Sequence, residues 1–170
     1  MSVNIENLLR ENIRNIVPYS TARDEFKGGK VDIFLDANEN PYNTRLNRYP
    51  DPKQKKLKEK ISERTGVQIP NIFLGNGSDE VIDLMVRAFC TPGKDNIMIH
   101  PPSYGMYQVA AETNDNGVIK VNLKPDFELD VEEILKQASN NVKVFFICSP
   151  NNPTGNTFKE KDIERLLKEM

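Results

Sequence analysis

The chain has 170 residues, of which 38% are hydrophobic and 28% are charged, and its net charge at pH 7 is −2. This length suffices for one well-packed domain, and the balanced charge gives no electrostatic case for nucleic acid or an anionic membrane as a partner. Two cysteines, Cys90 and Cys148, are too few for a disulfide scaffold. Because residues 1–6 lack the features of a signal peptide and no apolar run could span a membrane, we expect a cytoplasmic protein.

The N-terminal segment is predicted to form an amphipathic arm. Residues 4–16 place apolar side chains at positions 5, 8, 9, 13 and 16, which is helical spacing with one apolar face. Pro18 ends this helix, and Gly28 and Gly29 mark a turn. We therefore assign residues 1–30 to an arm whose apolar face packs on its own domain or on a partner subunit.

The rest of the chain alternates short apolar runs with amphipathic segments. This pattern predicts an α/β three-layer sandwich with a mostly parallel sheet. Helix 53–65 is predicted to turn Leu57 and Ile61 inward. Strands are predicted at residues 31–36, 72–74, 96–100, 118–123 and 142–148, and helices at 53–65, 78–89, through 109–113, 130–138 and from 157 to the end of the chain.

A polar turn, Asn151-Asn152-Pro153-Thr154-Gly155, directly follows the apolar run 142–148. Ligands of open α/β sheets bind beyond the carboxyl ends of the strands, so an amide fixed in this turn is well placed to donate to a ligand oxygen. The alternative is that Asn-Pro-Thr-Gly is only a turn. We also predict that the Asn152–Pro153 peptide bond is cis, since tight functional turns are where cis-proline occurs.

The turn Gly75-Asn76-Gly77-Ser78-Asp79-Glu80 lies between a predicted strand and a strong helix. Glycines allow a ligand to approach the backbone, Ser78 can cap the helix, and free first-turn N–H groups suit an anion. Its spacing matches neither a P-loop nor Gly-x-Gly-x-x-Gly. The alternative is a well-capped helix in which the two acidic residues only complement the helix dipole.

A third candidate loop, Pro101-Pro102-Ser103-Tyr104, follows the predicted strand 96–100. A tyrosine that follows two prolines is pre-positioned, so it has little rotamer entropy to lose when it is fixed in a site. The alternative is that Tyr104 is a core aromatic at the start of a helix. His100 is the only histidine, and without a visible acid–base partner we expect no catalytic role for it.

Together, Ser-Pro-Asn-Asn-Pro-Thr-Gly, Gly-Asn-Gly-Ser-Asp-Glu and Pro-Pro-Ser-Tyr resemble motifs of the fold-type I pyridoxal-phosphate enzymes. Two further segments, Leu35-Asp-Ala-Asn-Glu-Asn-Pro41 and Arg48-Tyr-Pro-Asp51, make the resemblance closest to the histidinol-phosphate aminotransferases. The resemblance implies that residues 31–170 are the first part of a pyridoxal-phosphate-binding large domain. It implies a cofactor phosphate held by main-chain N–H groups of Ser78, Asp79 and Glu80, a cofactor ring stacked on Tyr104, and a phenolic oxygen bonded by Asn152.

The same resemblance implies a homodimer with shared active sites. Tyr49 would cross to the cofactor phosphate of the partner subunit, and Tyr19 and the loop containing Asn38 would lie at the substrate. Without the resemblance, Tyr49 is equally a half-buried aromatic in a turn. No metal site is predicted.

The reaction implied is amino-group transfer between L-histidinol phosphate and 2-oxoglutarate in histidine biosynthesis. The lysine that holds the cofactor covalently is not recognisable here, so we assign no catalytic residue within the chain and expect that lysine beyond Met170. These 170 residues alone are accordingly expected to be inactive. One alternative is a related enzyme such as a threonine-phosphate decarboxylase, and another is a non-catalytic fragment that serves only in dimerisation or binding.

Overall fold

The computed structural model describes residues 4–21, 25–26, 28–29, 32–139 and 141–170. The chain separates into two compact units. We call the first the α/β unit, which holds the described residues up to Asn15 together with Gly75–Met170. The second, Ile16–Leu74, we call the loop unit. The predicted domain boundary after residue 30 stays a prediction.

The α/β unit is built on a parallel sheet of strands β1 (Asn96–Ile99), β2 (Gly117–Lys120) and β3 (Val142–Phe145). Their order is β2-β1-β3, so β1 is central and pairs with a neighbour on each side. The parallel sheet is confirmed; β1 and β3 fall inside predicted runs, β2 begins one residue before the predicted run 118–123, and each strand is shorter than predicted. Because all three run in one direction, the loops after them lie at one edge of the sheet.

Helices provide the rest of the regular secondary structure in the described part of the chain. Two short 3-10 helices, Ile5–Asn7 and Ile69–Asn71, add to them. The α-helices are α1 (Glu11–Arg14), α2 (Lys55–Thr65), α3 (Gly77–Phe89), α4 (Met106–Thr113), α5 (Val131–Gln137) and α6 (Glu160–Glu169). None of the described helices is long and apolar enough to cross a bilayer.

Side chains alternate across β1 and build one apolar cluster on each face of the sheet. Ile97 and Ile99 pack with residues of α3 and α4, such as Val86 and Ala111. Met98 faces the other way, into a cluster that includes residues of α5 and α6. Each fully buried aliphatic side chain contributes about 1.5–3 kcal/mol. The structure is therefore a helix–sheet–helix sandwich, as predicted.

Both cysteines are free thiols within this unit. Cys90 is buried in the cluster that contains Ile97, whereas Cys148 is half-buried. Burial raises the pKa of Cys90 to about 11, with a smaller contribution from the charge of Asp95. The Cys90 thiol is therefore protonated at neutral pH and unreactive.

The single N-terminal helix predicted over residues 4–16 is wrong. The chain forms a 3-10 turn and then the short α1, with a break at Arg10. The N–H group of Arg10 donates to the carbonyl of Ala88 and its guanidinium donates to the carbonyl of Arg87. These contacts with the C-terminal end of α3 hold Arg10 in an extended conformation, with ψ of 143°. Tertiary contacts have overridden the local pattern.

Two of the predicted strands do not form. Residues 72–74 are extended without a strand partner in the described part of the chain, and 32–36 are loop and bend. Val31, the first residue of that predicted strand, lies outside the described residues. A strand exists only as one member of a hydrogen-bonded pair, and an apolar run carries no information about its partner.

The cap predicted at Ser78 and the helix start predicted at residue 157 are also wrong. Helix α6 begins after Lys159 rather than at residue 157, because Lys159 is extended, with ψ of 127°, and Phe158 is buried among the side chains around Met98. Helix α3 begins after Asn76, so Ser78 does not cap it. By contrast, the helix start predicted at residue 130 is confirmed, since Asp130 caps α5 and its side chain accepts from the N–H of Glu133.

No residue is buried among the described residues of the loop unit. Ile61 of α2 is half-buried, but Leu57 is 55% exposed, so the inward orientation predicted for Leu57 is wrong. Helix α2 ends at Gly66, whose φ of +74° favours glycine. The loop unit therefore keeps its apolar side chains in contact with solvent.

Candidate functional site

The loop after β3 exposes one asparagine and buries the one before it. Asn151 is buried, whereas Asn152 is exposed and its amide makes no hydrogen bond to any residue that the structure describes. The Asn152–Pro153 bond is cis, as predicted. The turn is closed by a hydrogen bond from the Gly155 N–H to the Asn151 carbonyl, of 2.7 Å. The exposed Asn152 amide is thus free to bind a ligand.

The loop after β1 places Tyr104 at the edge of the apolar core. Its ring is half-buried and meets Tyr107 edge-on, with 5.7 Å between ring centroids. Tyr107 in turn stacks on Phe146 at 4.6 Å. Tyr104 therefore packs at the edge of the apolar core, and it also belongs to the loop that follows β1. Packing against Tyr107 restricts where its ring can lie.

The turn before α3 supplies main-chain donors. The first N–H groups of a helix have no carbonyl within the helix to accept them. The N–H of Gly77 donates to the carbonyl of Gly75, which leaves those of Ser78, Asp79 and Glu80. All three residues are exposed. Gly77 has φ of +76°, a conformation that favours glycine at this turn.

The two acidic side chains of this turn are engaged by other groups. The carboxylate of Asp79 accepts from the Tyr104 hydroxyl at 2.9 Å, and that of Glu80 accepts from the Asn76 N–H. The hydrogen bond to Asp79 raises the pKa of Tyr104. Since both carboxylates are directed to these partners, they leave the first-turn amides to an incoming anion.

Two hydrogen bonds link the loops that carry the predicted residues. The Tyr104–Asp79 bond joins the loop after β1 to the turn before α3. The Asn151 amide donates to the carbonyl of Pro102 at 2.9 Å, which joins the loop after β3 to the loop after β1. The structure therefore gathers the three predicted cofactor segments of the α/β unit at one edge of the sheet.

His100 lies buried at the end of β1 and takes no part in this site. Its Nδ1 is 3.1 Å from the carbonyl oxygen of Val121, which can only accept, so Nδ1 carries the proton. Nε2 is buried without a hydrogen-bond partner among the described residues. Burial lowers the pKa of His100 to about 4, so the ring is neutral at pH 7. The expectation that His100 has no catalytic role stays a prediction.

The loop unit contains a separate cavity of about 830 Å³. Its lining brings together the three predicted residues of this unit, Tyr19, Asn38 and Tyr49. Asp51 and Lys55 add one charge of each sign. The sequence places Tyr19 and Tyr49 thirty positions apart, and their convergence on one cavity was not visible from the motifs.

Glu39 holds Tyr49, one of the residues that line this cavity, and the sequence motifs assigned it no role. Its side chain is 3% exposed and accepts from the Arg48 guanidinium at 2.7 Å and from the Tyr49 N–H at 2.8 Å. The Asn-Glu-Asn-Pro and Arg-Tyr-Pro-Asp motifs are thus joined through one carboxylate. An acidic residue beside a predicted site, followed nine positions later by an arginine, is the only signal that the sequence offers for this pair.

The chain is similar to a known protein family over most of its length. Residues 26–170 match the family described as aminotransferase class I and II. Over 168 residues, the chain is 54% identical to the histidinol-phosphate aminotransferase of Christiangramia forsetii. That alignment covers 98% of this chain and 48% of the relative, so the chain spans about half the length of the curated relatives it matches.

Solved structures agree with this similarity. The histidinol-phosphate aminotransferase from Clostridium acetobutylicum superimposes with a TM-score of 0.62 at 28% identity, over 73% of this chain and 35% of that one. Cystalysin from Treponema denticola, whose crystal structure contains a pyridoxal 5′-phosphate cofactor, gives 0.59 at 23% identity, over 72% and 32%. The second likeness shows the shared fold. By its sequence, this chain belongs to the aminotransferase class I and II family.

Proposed function

We propose that the protein transfers an amino group between L-histidinol phosphate and 2-oxoglutarate with the help of pyridoxal 5′-phosphate. The observation that carries this proposal is the 54% identity to a histidinol-phosphate aminotransferase over 98% of the chain. Because the alignment covers only 48% of that relative, the activity is proposed for a protein that also has the remaining part. The lysine that binds the cofactor covalently is proposed to lie beyond Met170.

The exposed groups at the edge of the sheet fit this cofactor. The first-turn amides of Ser78, Asp79 and Glu80 suit a phosphate dianion, which is stabilised by the helix N-terminus. The Tyr104 ring offers a face for an aromatic ring, and the free Asn152 amide can donate to a phenolic oxygen. When bound, pyridoxal phosphate supplies an electron sink for charge that develops on the substrate.

Each protein group in this proposal has one task. The helix amides bind the phosphate, and the aromatic side chain restricts the tilt of the ring. The Asn152 amide favours the deprotonated form of the phenol by donating to its oxygen. The hydrogen bond from the Tyr104 hydroxyl to Asp79 fixes the orientation of the Tyr104 side chain and keeps the Asp79 carboxylate directed toward that hydroxyl.

We further propose a homodimer in which the loop unit contributes to the active site of the partner subunit. Tyr49 would reach the partner's cofactor phosphate, and Tyr19 and Asn38 would contact substrate. The support is the shared cavity of these residues and the exposure of 91% for Tyr19 and 66% for Tyr49. Aromatic side chains this exposed are typical of surfaces that become covered by a partner.

Steady-state kinetics of the full-length protein test the reaction. We expect amino transfer from L-histidinol phosphate to 2-oxoglutarate, with kcat/KM at least about a hundredfold above that for transfer from threonine phosphate. Release of carbon dioxide from threonine phosphate, without amino transfer from histidinol phosphate, would establish the alternative decarboxylase and contradict the proposal.

Subunit mixing tests the shared active site. In a homodimer of Tyr49→Ala or of Asn152→Ala, each active site lacks one group. A mixed dimer of the two variants has one intact site and one doubly altered site. After random exchange of subunits we expect recovery of about a quarter of the wild-type activity. Absence of recovery, with mixed dimers shown to form, would place both residues in a site made by one subunit.

A further inference from the structure

Asn151 is buried beside the exposed Asn152, and the sequence motifs predicted no separate role for it. Only 3% of its surface is exposed, and a buried amide is retained only where its hydrogen bonds are made. Its side-chain contacts extend beyond the turn that contains it, which distinguishes it from a residue that only closes the turn.

Within the loop after β3, Asn151 fixes the turn that presents Asn152. Its N–H donates to the carbonyl of Asn156 at 2.7 Å, and its carbonyl accepts from the N–H of Gly155 at 2.7 Å. Its side-chain Nδ2 donates to the hydroxyl oxygen of Thr154 at 2.6 Å. The backbone on both sides of Asn152 is therefore held by one residue.

The same Nδ2 reaches the loop after the neighbouring strand. It donates to the carbonyl oxygen of Pro102, 49 positions earlier in the sequence, at 2.9 Å. Pro102 precedes Tyr104 by two residues, and Tyr104 continues the link by its hydroxyl bond to Asp79. One amide therefore joins the turn that carries Asn152 to the loop that carries Tyr104.

We propose that Asn151 is a positioning residue that sets the separation between the Asn152 amide and the Tyr104 ring. This inference rests on the proposed function, in which these two groups bind the same cofactor. Binding groups have to be held within about 0.5 Å of their productive positions, and a side chain that bridges their loops provides this restraint. Asn151 itself donates to protein groups and contacts no ligand.

The test replaces Asn151 by aspartate in the full-length protein. Asn151→Asp keeps the size of the side chain but replaces the Nδ2 donor by a carboxylate oxygen, which repels the Pro102 carbonyl. Asn116→Asp is the matched control. Asn116 is 5% exposed, and its Nδ2 likewise donates to two protein acceptors, here the backbone carbonyls of Thr91 and Asp95, beside the start of β2 and away from the site.

Two readouts separate positioning from general stability. The first is hydrogen exchange of the amides of residues 103–106 in the cofactor-free protein, and the second is the Kd for pyridoxal 5′-phosphate. We expect Asn151→Asp to accelerate exchange in this loop by at least about tenfold and to raise the Kd by about tenfold, which corresponds to about 1.4 kcal/mol. Asn116→Asp is expected to lower the Tm comparably while both readouts stay within about twofold of wild type.

Loop exchange within twofold of wild type in Asn151→Asp would overturn the proposal, as would an equal acceleration of that loop by Asn116→Asp. Faster exchange without any change in the Kd would also contradict it, because the separation of the loops would then not matter for binding. Should the wild-type protein fail to bind pyridoxal phosphate, the proposed function fails. The exchange comparison still decides in that case whether Asn151 holds the two loops together.

Discussion

The two units of the molecule hold their site residues by different means. In the α/β unit, Tyr104 and Asn152 lie at the ends of strands whose side chains fill two buried clusters. In the loop unit no described residue is buried, and Tyr49 is held through hydrogen bonds to the carboxylate of Glu39. Buried apolar clusters hold the strands that carry the first set of residues, whereas the second set is held by a polar network.

This difference indicates how far each unit depends on further contacts for its stability. Burial of apolar area is the dominant stabilising contribution, and a segment that buries little cannot offset the entropy cost of ordering it. The loop unit exposes apolar side chains such as Leu35 and Leu46, each 91% exposed. In the proposed homodimer these side chains are candidates for coverage by the partner. The α/β unit already contains its own core.

The largest expected effect comes from a core truncation. Ile134 is fully buried, and Ile134→Ala in the full-length protein should lower the free energy of unfolding by about 2–5 kcal/mol through lost burial and a cavity. Leu57→Ala in α2 should change it by less than about 0.5 kcal/mol, since Leu57 is 55% exposed. Urea denaturation measures both. A larger loss for Leu57→Ala would show that this residue is covered in the assembled protein and would reduce the contrast between the units.

Acid should weaken the α/β unit through His100. In the unfolded chain this histidine takes up a proton near its ordinary pKa of 6.5, whereas in the fold burial lowers the pKa to about 4. The folded state therefore binds fewer protons between these values, and the free energy of unfolding decreases as the pH falls from 6.5 to 4, by on the order of 3 kcal/mol. Denaturation at pH 7 and pH 5 measures this dependence. His100→Gln should remove most of it, and an unchanged dependence in that variant would contradict the assignment.

In the loop unit, Glu39→Gln should have an intermediate effect. Removing the negative charge weakens the bonds from Arg48 and from the Tyr49 N–H, at a cost of about 1–2 kcal/mol. The expected result is faster hydrogen exchange across residues 39–52, with the exchange of β1 unchanged. Glu63→Gln is the control, because the Glu63–Lys60 pair is exposed and contributes less than about 0.5 kcal/mol. Equal responses of the two variants would refute the role of Glu39.

The smallest expected effect is a gain in stability at the start of α2. Gln54 precedes this helix with φ of +50°, a left-handed conformation that costs a non-glycine residue about 1 kcal/mol. Gln54→Gly should therefore raise the free energy of unfolding by less than about 1 kcal/mol, because greater freedom in the unfolded chain offsets part of the gain. A thermal melt compares the two proteins, and a destabilised variant would mean that the Gln54 side chain makes a stabilising contact.

The contrast between the units also explains which features could be predicted from the sequence. The apolar run 142–148 and the turn after it located β3 and the exposed Asn152, because both signals are local. The same reasoning located the turn before α3 and its exposed amides. For these two turns the local pattern was a sufficient guide.

Contacts between distant segments could not be predicted. The break at Arg10 depends on carbonyl groups of Arg87 and Ala88 at the end of α3. The link from Asn151 to Pro102 and the link from Glu39 to Tyr49 are likewise invisible in a periodic pattern. Hydrogen bonds of this kind depend on which loops the fold brings together, and single-sequence patterns do not report that.

The proposal that main-chain amides bind the cofactor phosphate is best tested by the Kd for pyridoxal 5′-phosphate of full-length Ser78 variants. Ser78→Pro removes the amide hydrogen while remaining compatible with the first turn of α3, whereas Ser78→Ala removes only the hydroxyl. We expect a Kd at least about tenfold higher for Ser78→Pro and within about threefold of wild type for Ser78→Ala. A Kd for Ser78→Pro equal to that of wild type, in a protein with an unchanged Tm, would contradict it.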